Sequence, residues 1–172
     1  TTYMGEVEMY PIRDNLVGLF AMPIAIFFIL WRMKKRKIPL SVLGTLKIEA
    51  KPLFISIFLL AVFLLFEELY LYLLGIEMPK SFIEFMLAKP ILLGFVSAVL
   101  VAPIIEEFLF RGFLHSQLRI SCLKNWGAVI VSSFVWTAIH FQYELGILIF
   151  LFIFGLFLGY FRIKYNSLLI PI

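Results

Sequence analysis

Apolar residues do not alternate along this chain; they gather in blocks. Five such blocks, at about 15–32, 52–75, 90–118, 126–141 and 145–162, are separated by short polar or basic segments. Uninterrupted apolar runs of this length predict helices rather than strands. They approach or exceed the ~20 residues a helix needs to cross a bilayer. A sixth helix is expected to start near Ser167 and to be cut off at Ile172. Pro23 predicts a kink in the first helix. Pro39 and Gly44 punctuate the loop after it, and Pro90 suits the first turn of the third. Tyr70 and Tyr72, near the end of the second, belong at headgroup level.

Composition narrows the class. Of 172 residues, 63% are hydrophobic and 15% charged, against about 45–50% and ~25% in a soluble domain. Mean hydropathy is +1.03. A soluble protein could not cover its surface with so few polar groups. The expected fold is therefore all-α, a polytopic transmembrane helical bundle, forming a single membrane domain over 1–172.

Charge sets an expected orientation. Seven of the fifteen Lys and Arg residues lie between Arg32 and Lys51, which places loop 33–51 in the cytoplasm, against anionic lipid. With alternating helices, Arg119, Lys124, Arg162 and Lys164 then fall inside, and only Arg13, Lys80 and Lys89 fall outside. The net charge of +4 is thus a topology signal, and it argues against nucleic acid as a partner. The lipid bilayer is the partner it implies. Cys122 is the single cysteine, so no internal disulfide or Cys-based zinc cluster can form. The chain starts at Thr1 and ends within an apolar run, and is read as a piece open at both ends.

The third block carries the candidate chemistry, Pro103-Ile104-Ile105-Glu106-Glu107-Phe108-Leu109-Phe110-Arg111-Gly112. Each charge at a helix centre costs ~2.5–3.5 kcal/mol on insertion scales and normally serves a function. Glu107 and Arg111 are four apart and can pair. Glu106 is rotated about 100° from Glu107, so one carboxylate can be neutralised while the other stays available for acid–base work. Pro103 frees the carbonyl of Val99, and broken backbone at membrane depth is tolerated beside a wet cavity. The fourth block supplies His140. With the turn at Cys122, Glu106 lies 16 residues before it and His140 18 after. Antiparallel helices rising ~1.5 Å per residue would bring the two within ~3 Å of the same depth. A Glu and a His flanking one water form a general-base pair for hydrolysis.

Plainer readings compete. Glu107–Arg111 alone fits a structural ion pair, and His140 alone fits a histidine joining helices. Ser132 and Ser133 read as small packing residues, and Gly155 with Gly159 as a small-xxx-small contact. Glu67-Glu68 reads as a solvated helix end, and His115 is expected at the cytoplasmic rim.

Glu106-Glu107-Phe108-Leu109-Phe110-Arg111 resembles the E-E-x-x-x-R motif of the CPBP (Abi) family, which includes CAAX prenyl endopeptidases and bacteriocin-processing enzymes. Trp136 and His140 resemble its F-x-x-x-H motif, with Trp in place of Phe. Gly155 to Tyr160 with Asn166-Ser167-Leu168 resembles the stretch leading into a third motif, H-x-x-x-N, whose His and Asn are expected just beyond Ile172. The resemblance covers roughly Leu92 to Ile172. It implies an intramembrane endopeptidase of a prokaryotic plasma membrane, acting on a membrane-bound or lipidated peptide. Glu106 would activate water, His140 would help hold it, and Glu107 and Arg111 would support the site. No cofactor is required. Zinc would have Glu106 and His140 as its visible ligands, but no H-E-x-x-H helix is present. The alternatives are a non-proteolytic membrane immunity or scaffold protein with the same fold, and a small proton-relaying transporter. The last lacks the expected inverted repeat.

Overall fold

In a computed structural model, the residues described are 23–44, 49–77, 80, 83–84 and 90–170. The start of the first apolar run, most of the connection 78–89 and the last two residues lie outside them. Among the described residues every regular element is helical and none is a strand. The chain divides into two compact units. One comprises Thr1–Pro39 and Met78–Glu106, the other Leu40–Glu77 and Glu107–Ile172.

In the first unit, residues 23–35 are helical, so the first helix runs into the basic stretch. Lys35 reaches back over the Trp31 ring, 5.4 Å from its centroid. The helix closes with Lys37 at φ 56 and Ile38 N–H donating to the Met33 carbonyl at 2.9 Å. This is the left-handed closure common at helix ends, and Pro39 directly after it forbids continuation. The third apolar block begins here as α2 (Ile91–Phe95), a wide segment π1 (Val96–Val101) and α3 (Ala102–Glu106). Ala102 N–H reaches Ser97 O, five residues back. The wide closure falls immediately before Pro103, whose ring would crowd the carbonyl four residues earlier in an ordinary helix.

The second unit holds a short 3-10 turn, Leu40–Leu43, and the long helix α1 (Ala50–Leu74). At 1.5 Å per residue its 25 residues span more than the roughly 30 Å hydrocarbon core. Gly75, at φ 63, caps it. Phe54, Phe58, Leu65, Leu69 and Leu73 stand exposed around α1, as side chains facing lipid would. One narrow stripe is covered. The Phe63 ring lies 4.8, 5.1 and 5.2 Å from those of Phe150, Phe154 and Phe157, and Tyr70 donates its hydroxyl to Gly146 O at 3.0 Å.

The rest of the unit is π2 (Glu107–Leu114), α4 (His115–Arg119), α5 (Lys124–Ala138) and α6 (Leu145–Tyr165). α5 and α6 pack through small residues. Ala128, Val129, Ser132 and Ser133 are buried opposite Gly155 and Gly159. A Cβ on Gly155 would lie 2.9 Å from Ser133 Cβ, and one on Gly159 would lie 2.5 Å from Val129 Cγ1. These glycines let two backbones approach closely, as the small-xxx-small reading expects. Asn166 ends α6 at φ 46. Ser167 Oγ then accepts from the amides of Leu169 and Ile170 at 3.2 and 3.3 Å. Residues 167–170 are therefore a bent, largely buried segment rather than the first turn of a helix.

Candidate active site

The chemistry-bearing residues of the second unit converge on Arg111. The wide segment π2 carries Glu107 and Arg111 on one face, and both side chains are removed from solvent, Arg111 at 1% exposure. Arg111 Nη1 lies 2.9 Å from Glu107 Oε1. Nη2 donates to Gly155 O of α6 at 3.5 Å. The guanidinium sits over the Trp136 ring, 4.6 Å from its centroid. A desolvated contact of this kind is worth about 2 kcal/mol. Arg111 thus answers to a carboxylate, a carbonyl and an aromatic face, contributed by π2, α6 and α5.

Trp136 continues the path to His140. The two rings meet edge-on at 5.1 Å, and the Tyr143 ring stacks with the imidazole at 6.0 Å. His140 lies two residues past the end of α5, in a turn closed by its own N–H on Thr137 O at 2.9 Å. Its Nδ1 is 2.8 Å from the Trp136 carbonyl. A carbonyl can only accept, so Nδ1 carries the proton and Nε2 keeps the lone pair in the neutral ring. Aromatic and histidine at i and i+4 therefore set the tautomer as well as the position of the ring.

Glu106 is the last residue of α3 in the first unit, half-buried. Glu107, Arg111 and His140 are joined through Trp136 within the second. His115 is fully buried on α4, beside Ser116, whose hydroxyl donates to Val42 O at 2.7 Å. Ser132 and Ser133 are buried in the α5–α6 seam, as packing residues are. Zinc sites take three or four protein ligands. Among the described residues no three His, Cys, Asp or Glu side chains gather in such a group.

One residue of the site escaped the sequence. Arg162, in the last turn of α6, is 1% exposed. Its Nε donates to Arg111 O at 3.0 Å, Nη1 to Asn166 Oδ1 at 3.0 Å and Nη2 to Leu43 O at 2.9 Å. In sequence it is one more cation at the end of an apolar helix, indistinguishable from the topology signal. The only local hint is Asn166 four residues on.

Among the described residues of this all-α chain, two helices, Ala50–Leu74 and Leu145–Tyr165, are apolar and long enough to cross a membrane. Residues 88–172, just under half of the chain, match the family described as type II CAAX prenyl endopeptidase Rce1-like. Over 84 residues it is 33% identical to an uncharacterized 24.3 kDa protein of Escherichia coli, covering 48% of this chain and 39% of that one. The chain thus spans under half the length of the curated relative it matches. No solved structure matches.

Proposed function

We propose that this protein is an intramembrane endopeptidase that hydrolyses a peptide bond of a membrane-bound or lipidated substrate with a water activated by Glu106 and His140. The Glu106 carboxylate takes a proton from the water as its oxygen bonds to the scissile carbonyl carbon. That proton then passes to the leaving amine nitrogen. His140 accepts a hydrogen bond from the same water through Nε2. Glu107 and Arg111 do not react. They fix the helix that carries the first carboxylate motif and, through Trp136, the histidine of the second.

The observation that carries this reading is the unbroken path Glu107–Arg111–Trp136–His140. It ties both family motifs into one buried network and leaves a basic imidazole nitrogen at its end. Substrates would approach in the plane of the bilayer, with loop 33–51 and its cations on the cytoplasmic side of a prokaryotic plasma membrane.

The test uses the full chain in detergent or proteoliposomes. Its probe is a fluorescence-quenched peptide ending in Cys-aliphatic-aliphatic-X, with and without an S-farnesyl group. Glu106→Gln and His140→Ala should each lower turnover by about 10²–10⁴-fold, the usual range for a general acid–base group, while membrane insertion stays intact. Turnover at the unsubstituted rate in either variant sinks the assignment. A second reading, a non-proteolytic immunity or scaffold protein, draws on the complete burial of the Glu107–Arg111 pair, which also suits a purely structural role. It predicts full biological protection by the Glu106→Gln variant.

A further inference from the structure

Arg162 is buried at 1% exposure and is held by oxygens from three parts of the chain. Its three acceptors are the carbonyls of Arg111 and Leu43 and the side-chain amide oxygen of Asn166. They come from π2, from the Leu40–Leu43 turn and from the end of α6, at sequence separations of 51, 119 and 4 residues. Burying a guanidinium is expensive unless its donors are met, and here Nε, Nη1 and Nη2 are each met at 3.0 Å or less. Only a planar fork can serve three acceptors in three directions. A lysine ammonium on a flexible stem cannot.

Two further features fit this clamp. Gly44, at φ +113, lies flat on the guanidinium, so that a Cβ there would stand 2.8 Å from Arg162 Cζ and Nη2. Ser116 donates to Val42 O at 2.7 Å, a second tie between the same turn and the helix beyond π2. The Leu40–Gly44 segment is therefore seated on the catalytic helix at two points, one of them Arg162.

We infer that Arg162 is a positioning residue for the active site, holding the backbone of Arg111 while the side chain of Arg111 holds Glu107 and Trp136. Its effect on chemistry runs through the placement of Arg111, whose carbonyl it holds at 3.0 Å. Arg162 also locks the Leu40–Gly44 segment onto π2, so that the position of that loop and the geometry of the site are set by one side chain. The catalytic part of this inference rests on the peptidase reading above.

The test compares the unsubstituted full chain with Arg162→Lys and, because a buried substitution can disturb folding, with Gly44→Ala in the loop. Turnover of the quenched peptide and hydrogen–deuterium exchange of backbone amides are both measured in detergent. In Arg162→Lys, kcat should fall by about 10–100-fold with KM unchanged, the signature of a misplaced catalytic group rather than lost binding. Exchange should rise at residues 40–44 and 107–116 while α6 keeps its protection. Gly44→Ala should show the same pattern in weaker form. A kcat at the unsubstituted level in Arg162→Lys, or exchange that rises throughout α6 alone, overturns the inference. No turnover in the unsubstituted chain sinks the peptidase reading instead, and the exchange pattern then decides the clamp by itself.

Discussion

At the scale of single residues, the site depends on how a buried arginine is satisfied. Arg111 spends its charge on Glu107 and its face on Trp136. Removing one member of a buried ion pair leaves the other uncompensated and typically costs about 3–5 kcal/mol. Arg111→Met should therefore destabilise the protein by that order, seen as a lowered thermal midpoint in detergent, and Glu107→Gln should do so more mildly because an amide can still accept from the guanidinium. Trp136 gives a sharper contrast. Trp136→Phe keeps an aromatic face for Arg111 and an edge contact for His140, and should hold turnover within several-fold. Trp136→Leu keeps the bulk and loses the face, and should reduce turnover by at least tenfold. Equal turnover in the two would mean the ring matters only as volume. The Glu107–Arg111 pair was legible because both partners lie on one helix at a fixed spacing. The Arg162 contacts were not, because two of its three partners are backbone carbonyls, and a carbonyl has no sequence signature.

At the scale of elements, the α5–α6 seam turns on two missing side chains. A Cβ at Gly159 would press on Val129, and one at Gly155 on Ser133. Gly159→Ala should cost about 1–3 kcal/mol through overpacking, and Gly155→Ala should in addition push against the carbonyl that accepts from Arg111. Unfolding in mixed micelles would measure both, and an unchanged midpoint in Gly159→Ala would show that the seam can relax. The glycine spacing announced this contact. The winding of the third apolar block did not announce itself. Its wide turns Val96–Val101 and Glu107–Leu114 depend on which amide meets which carbonyl, and hydrophobicity says nothing about that; only Pro103 marked trouble in the ladder. For the same reason His140 was expected on a helix and lies in the turn just after one.

At the scale of the whole molecule, length and hydrophobicity carried most of the information. A 25-residue helix whose circumference is almost entirely apolar and exposed has no stable place in water. Orientation remains a prediction from charge. Cys122 is the single cysteine and is exposed, in the connection between α4 and α5 that the positive-inside pattern puts in the cytoplasm. A membrane-impermeant maleimide should label it in inverted vesicles and not in intact cells; the reverse pattern would invert the topology.

The wide segment Glu107–Leu114 also makes this stretch sensitive to length in a way its bland composition hides. Many of its apolar positions could exchange one large side chain for another. Losing a single residue there would close the wide turns into an ordinary helix and so rewind the stretch that sets Glu107, Arg111 and Ser116 against one another. Exchanges among the apolar residues of this stretch are therefore cheap, while the number of residues between Glu107 and Ser116 is what its winding depends on.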